Sequence, residues 1–169
     1  MALIKWLKAQ KVARRIDAPP AAAKPVAWVE PSFEAGSVVL KKGDKLLRVV
    51  WHAGTQDRRR VVPAGKHGVY EFRIERTTQR THWFLASSGP PYQKVEVAAK
   101  GRTSLVISDA LTCTTQAKRV GQELRFSFGM RAATGHGITV FKNFLRVPVT
   151  YRILDKQGKE IAAGKMDYG

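Results

Sequence analysis

The sequence predicts an all-β chain folded as an antiparallel β-sandwich or barrel, and three observations predict it. Apolar residues recur with period two in about eleven short runs, and turn-forming residues separate those runs. No stretch after residue 36 carries the 3.6-residue periodicity of an amphipathic helix. The clearest run is Gly68 to Arg76, behind the turn Val62-Pro63-Ala64-Gly65. Here Tyr70, Phe72 and Ile74 alternate with Glu71, Arg73 and Glu75, as in a strand with one face buried and one wet.

The first element is the exception. Residues 1–16 read as a short basic helix with Ala2, Trp6, Ala9, Ala13 and Ile16 on one side. Lys5, Lys8, Lys11, Arg14 and Arg15 lie mostly on the other, and Ile4 and Val12 interrupt the pattern. Asp17-Ala18-Pro19-Pro20 ends the helix, since the residue before a proline is driven from helical backbone angles. Ala21 to Val26 continues as an extended linker, and the folded body is expected to begin between Trp28 and Ser37.

The strands follow in order. Lys45 to His52 and Arg58 to Val62 flank Ala53-Gly54-Thr55-Gln56-Asp57 as a hairpin; Gly68 to Arg76 and Arg80 to Ala86 flank Thr77-Thr78-Gln79 as another. Val95 and Val97 alternate with Lys94 and Glu96, and Ala99-Lys100-Gly101 turns the chain into Thr103, Leu105 and Ile107. Leu124, Phe126, Phe128 and Met130 form one apolar row, and Leu145, Val147, Val149, Tyr151 and Ile153 another. Pro148 has no N–H for a ladder bond, so that last strand is expected at an edge or bulged. Asp155-Lys156-Gln157-Gly158 closes a final hairpin that returns through Ile161 and Met166.

A seven-stranded sandwich occupies about 100 residues, fewer than the stretch 36–169. Either one enlarged sandwich or two small packed ones fits. The division expected is residues 1–35 as helix and linker, 36–108 as a first β unit, and 109–169 as a second, with 109–121 connecting them.

Val62-Pro63-Ala64-Gly65, the strand Tyr70-Glu71-Phe72-Arg73-Ile74, and the later Val95-Glu96-Val97 and Gly101-Arg102-Thr103-Ser104-Leu105 together carry a resemblance. Their rhythm resembles carboxypeptidase-regulatory-like and related transthyretin-like or Ig-like bacterial modules, over about residues 40–108. His67-Gly68-Val69 adds residues between the glycine and the aromatic strand, a departure from that rhythm. The resemblance implies a non-catalytic β-sandwich scaffold, often extracytoplasmic, and carries over no functional residue. The N-terminal residues lack the uninterrupted apolar core of a secretory signal, which points instead to the cytoplasm, so the compartment stays open.

Thirty Lys and Arg against thirteen Asp and Glu give a formal charge of +17, which favours anionic partners. The chain has no apolar run long enough for a transmembrane helix. Cys113 is the sole cysteine, which excludes an intrachain disulfide and a cysteine-cluster metal site; it is expected to be a structural thiol.

His52, His67, His82 and His136 form no metal-ligand spacing, with His52 and His82 expected in strands and His67 and His136 in turns. Ser87 and Ser88 precede Gly89-Pro90-Pro91-Tyr92 without a nucleophile elbow or an assignable base. Carboxylates are scattered. No enzyme activity and no cofactor is expected.

Two groups of residues are candidates for binding. Leu3, Lys5, Trp6, Leu7, Lys8, Lys11, Arg14 and Arg15 form an amphipathic tether for a protein partner. Lys41, Lys42, Arg58, Arg59, Arg60, Lys118 and Arg119 are candidate anion contacts. Trp83 and Phe84 are adjacent and cannot both face one core, so one of them is a candidate for an inter-domain or partner contact. The expected function is a non-catalytic structural or accessory subunit that docks to a larger assembly through its basic N-terminal segment. The alternatives are nucleic-acid binding, including a ribosome-associated role, and binding to an anionic glycan or membrane surface.

Overall fold

The computed structural model describes residues 14–16, 27–89, 93–107 and 110–166, and every regular element among them is a strand. In chain order these are β1 (Arg14–Ile16), β2 (Ala27–Pro31), β3 (Ala35–Lys42), β4 (Lys45–Trp51), β5 (Arg60–Val61), β6 (Gly65–Thr78), β7 (Thr81–Ser88) and β8 (Gln93–Val97). They continue as β9 (Gly101–Leu105), β10 (Leu111–Val120), β11 (Glu123–Ala132), β12 (Gly137–Lys142), β13 (Leu145–Arg146), β14 (Val149–Leu154) and β15 (Glu160–Met166).

The main sheet runs β1-β4-β3-β6-β7-β12-β11-β10, with β8 beside the first half of β6 and β13 beside β12. β5-β2-β9 form a second sheet and β14-β15 a third. Pairing is antiparallel throughout, except for β1 with β4 and β2 with β9.

Alternation along the strands supplies the core. Val38 and Leu40 of β3, Val49 and Trp51 of β4, and Phe72 and Ile74 of β6 form one cluster with Val29 of β2 and Leu105 of β9. None is more than 4% exposed, and burying such a side chain stabilises the fold by roughly 1.5–3 kcal/mol. Trp51 stands edge-on to Phe33 at 5.6 Å, and its indole N–H donates to the Arg58 carbonyl at 2.6 Å.

One residue breaks the pattern. Opposite β6 the register moves from Val39↔Glu71 to Leu40↔Val69, which leaves Tyr70 as the extra residue of a bulge. Val69 is therefore fully buried, while Tyr70 is half-buried beside Lys41, whose Nζ lies 5.9 Å from its ring. The shared face expected for Tyr70, Phe72 and Ile74 holds only for the last two.

Other expectations are corrected by pairing partners. Arg14–Ile16 is extended beside Leu47–Val49, not the end of a helix, because the open edge of β4 satisfies its backbone groups; residues 1–13 lie outside the described part. Ala27–Pro31 is paired on both sides, so the body already includes residues assigned to the linker. Arg60–Val61 returns onto β2, not onto β4. The stretch expected as a connection, 109–121, contains β10, which pairs with β11 along its whole length. Its alternation is hidden because Leu111 to Val120 is mostly Thr, Gln and cations.

The hairpins Thr78–Thr81 and Leu154–Glu160 form as expected, with Gly158 at φ 82° in the second turn. The row broken by Pro148 divides into β13 and β14. Strand β12 pairs with β7, so the main sheet is continuous between the stretches 36–108 and 109–169.

Candidate interaction surface

The arginine triplet is drawn inward by the loop that carries it. Arg58 donates to the carbonyls of Pro31 and Phe33, tying the 32–34 segment to the loop. Arg60, 1% exposed, donates to the carbonyls of Val50, Asp57 and Arg59 at 2.8–3.1 Å. Arg59 remains outside, paired with Asp57 at 2.9 Å and set over the Trp28 ring at 5.1 Å. That pairing holds the Asp57 carboxyl at about 2.

Lys42 donates to the Ala64 carbonyl at 2.6 Å, and Lys41 leans on Tyr70. Lys118 and Arg119 are exposed near the far end of β10, and Arg119 donates to the Gly121 carbonyl at 3.1 Å. The anion-contact candidates therefore do not gather on one rim: three lie around the 57–60 loop, two at the end of β3 and two on β10. Of the tether residues, Leu3, Lys5, Trp6, Leu7, Lys8 and Lys11 lie outside the described part, and the backbone of Arg14 and Arg15 is in β1.

The strand face turned away from the core carries a row of charges. A cleft of about 770 Å³ is lined by Ser37, Arg48, Arg73 and Glu75 of this face together with Trp51 and Ile74 of the core side. Glu75 lies between two side chains, with Arg73 Nε at 2.7 Å and His82 Nε2 at 3.1 Å from its carboxylate oxygens. Arg73 also lies 3.8 Å from the centre of the Phe84 ring, and burial lowers its pKa.

Beside the cleft, Glu71 is 8% exposed and its Oε2 has no hydrogen-bond partner. Burial pushes its carboxyl up to about 7, against the pull of Arg48. The alternation of Glu71, Arg73 and Glu75 suggested a wet face; the structure buries it substantially. The local alternation is the same for either outcome, so it does not separate them.

His136 is fully buried. Its Nε2–H donates to the Val69 carbonyl at 3.0 Å, while Nδ1 accepts from the Thr134 hydroxyl at 2.9 Å; burial lowers its pKa. His67 lies in β6, not in a turn, and bonds the Pro63 carbonyl at 2.7 Å; His52 lies just past β4 rather than in it. Among the described residues no group of three or more His, Cys, Asp or Glu is placed to hold a metal ion. The Ser87 hydroxyl is buried and accepts the Phe72 N–H at 2.6 Å.

Among the described residues the β10–β11 ribbon is an especially open part. Both strands are exposed from their shared turn to about Phe126, and β10 along nearly all its length, so neither face is covered there. Gly121, at φ 63°, supplies the left-handed position of the two-residue turn. The other edge of β10 ends the main sheet. Cys113 is exposed on this strand, not a buried structural thiol.

Leu124 is 61% exposed near the turn, while Phe126 stacks on Tyr151 of β14 at 5.9 Å. Of the adjacent aromatics, Phe84 is buried and stacked on Phe141 at 4.4 Å, and Trp83 is the outward one, with Lys142 Nζ 5.2 Å from its ring. The sequence pattern put Leu145 in an apolar strand row and singled out nothing at Phe144; the structure leaves them 75% and 69% exposed at the turn between β12 and β13. The available signal was Asn143, a residue that accepts the left-handed turn conformation.

Comparison with protein-family models, curated proteins and solved structures found no match for this chain.

Proposed function

We propose that the protein is a non-catalytic structural or accessory subunit, an antiparallel β body of Ig-like or transthyretin-like type that docks to a larger assembly. The observation that carries this reading is the β10–β11 ribbon, exposed on both faces and with one long edge unpaired among the described residues. A two-stranded ribbon standing in water is marginal by itself, and an open edge is a template for another strand. A partner that adds a strand to β10, or covers the apolar row beside it, completes both unmet requirements. The basic segment 1–16 serves as a second, tethering contact.

Removing residues 1–13, which leaves β1 and β2 whole, or shortening the ribbon between Thr115 and Phe128 tests the two contacts separately. The expected result is a folded body that no longer migrates with its native assembly after purification from the source cells. Unchanged co-migration of both variants refutes the reading.

Nucleic-acid binding keeps one specific support, since Lys118, Arg119 and Arg125 line the exposed ribbon. It requires affinity that falls steeply with salt and drops when these three are neutralised. The inward engagement of Arg58 and Arg60 makes that triplet a poor phosphate contact.

A further inference from the structure

The turn joining β12 to β13 exposes two apolar side chains in a conformation that local preference opposes. Asn143 and Phe144 have φ 48° and 67°, the pair of positive angles that a tight two-residue hairpin needs. Asparagine tolerates this region, whereas a bulky aromatic residue rarely occupies it, and glycine is the usual choice at the second position. The surrounding structure over-determines the turn. The Asn143 N–H donates to the His82 carbonyl at 2.8 Å, and the Asn143 side-chain oxygen accepts the His82 N–H at 2.9 Å.

Packing accounts for only part of Phe144. Its ring lies 5.1 Å from His82 and 5.9 Å from Phe84, yet the residue is 69% exposed. Leu145 beside it is 75% exposed. A rigid, strained turn that presents Phe-Leu to the outside is a feature to be explained by a contact.

The flanking residues choose the contact. Lys142 precedes the turn and Arg146 follows it, and no acid occurs between Lys142 and Tyr151. Trp83 is paired in register with Lys142, one step behind the tip, and is partly exposed. This sequence of layers, apolar tip first and then tryptophan with a cation, matches the layers of a membrane interface: acyl boundary, then headgroups. The chain's +17 charge supplies long-range attraction to an anionic surface. A protein groove would accept Phe and Leu equally well, but it would not by itself call for flanking cations and an excess of positive charge over the whole chain.

We propose that the Lys142–Arg146 turn is a membrane-docking tip that inserts Phe144 and Leu145 into the interface of an anionic lipid bilayer. Two side chains make a reversible contact rather than a permanent anchor, so binding depends on the apolar tip and on charge together. This contact is separate from the strand edge of β10 and does not depend on it.

Co-sedimentation of the full chain with phosphatidylcholine vesicles, with and without phosphatidylserine, tests the proposal. The wild type is expected to sediment with the phosphatidylserine vesicles at low salt and to remain in solution with phosphatidylcholine alone. Phe144→Ser with Leu145→Ser removes two exposed side chains, so the fold is retained and its circular dichroism unchanged; binding is expected to fall by at least about tenfold. Lys142→Gln is expected to weaken it roughly fivefold.

A spin label on Leu145→Cys, in a Cys113→Ser background, should become more accessible to oxygen and less accessible to a polar nickel complex when vesicles are added. Absence of binding to the anionic vesicles overturns the proposal. So does binding that the double serine variant retains, because charge elsewhere would then suffice. Self-association of the wild type, lost in the serine variant while vesicle binding is unchanged, assigns the tip to a protein contact and also overturns it.

Discussion

Glu71→Gln should make the protein more stable at alkaline pH and leave it nearly unchanged in acid. The carboxyl is 8% exposed, one of its oxygens has no hydrogen-bond partner, and burial raises its pKa from 4.5 to about 7. The folded state therefore holds a proton that the unfolded state releases between these two values. Below pH 4.5 both states are protonated and the group contributes nothing to the pH dependence. As pH rises toward 7 the unfolded chain ionises first and stability is lost; above 7 the loss is complete.

That separation in pKa corresponds to roughly 3 kcal/mol. Relaxation of the site and residual water reduce the expected gain for Glu71→Gln to about 1.5–3 kcal/mol at pH 8, and to within about 0.5 kcal/mol of zero near pH 4. Urea unfolding of both proteins across this range measures the difference directly. A glutamine variant that is less stable than wild type at pH 8, or a difference that does not vary with pH, refutes the argument. The first result would mean that the Arg48–Glu71 attraction outweighs desolvation.

His136 behaves in the opposite sense, because burial holds its pKa below 6.5 and the unfolded chain takes up the proton first. His136→Gln should flatten the loss of stability as pH falls below about 6.5, measured as the difference from wild type by urea unfolding. Arg60→Met leaves three carbonyls without the guanidinium that now serves them, so it should cost about 2–4 kcal/mol in a chemical denaturation curve, whereas Arg59→Met, at an exposed ion pair, should leave that curve almost unmoved. The exposed Cys113 should react with a maleimide reagent in the native protein as completely as in denaturant, read by mass spectrometry; protection in the native state would place the strand face under cover.

Period-two patterning was sufficient to identify most of the strands, because a strand with one buried face leaves a direct record in its own residues. Phe72 and Ile74 show this, as do the alternating Val95 and Val97 of β8. β10 left no such record. Its ten residues are held by a ladder to β11 and are exposed, so nothing selects apolar side chains along it. The Tyr70 bulge was equally silent, since inserting one residue changes the parity of the strand without changing its composition.

The interaction surface was less legible than the fold. Arg58-Arg59-Arg60 is a cationic patch in one dimension, but the fold directs Arg58 and Arg60 onto backbone carbonyls. The adjacency of Trp83 and Phe84 did foretell that one must turn outward, because neighbouring strand residues point to opposite faces; only the stacking of Phe84 on Phe141 decided which.

The sequence alone determined the all-β character, most strand positions and the excess of positive charge, since these depend on local periodicity and on composition. Tertiary structure decided which strands pair, that Glu71 and His136 are buried, and that Phe144 and Leu145 stand exposed on a strained turn. Burial and exposure depend on what distant residues cover, and no local pattern in Glu71-Phe72-Arg73 or Asn143-Phe144-Leu145 records the cover.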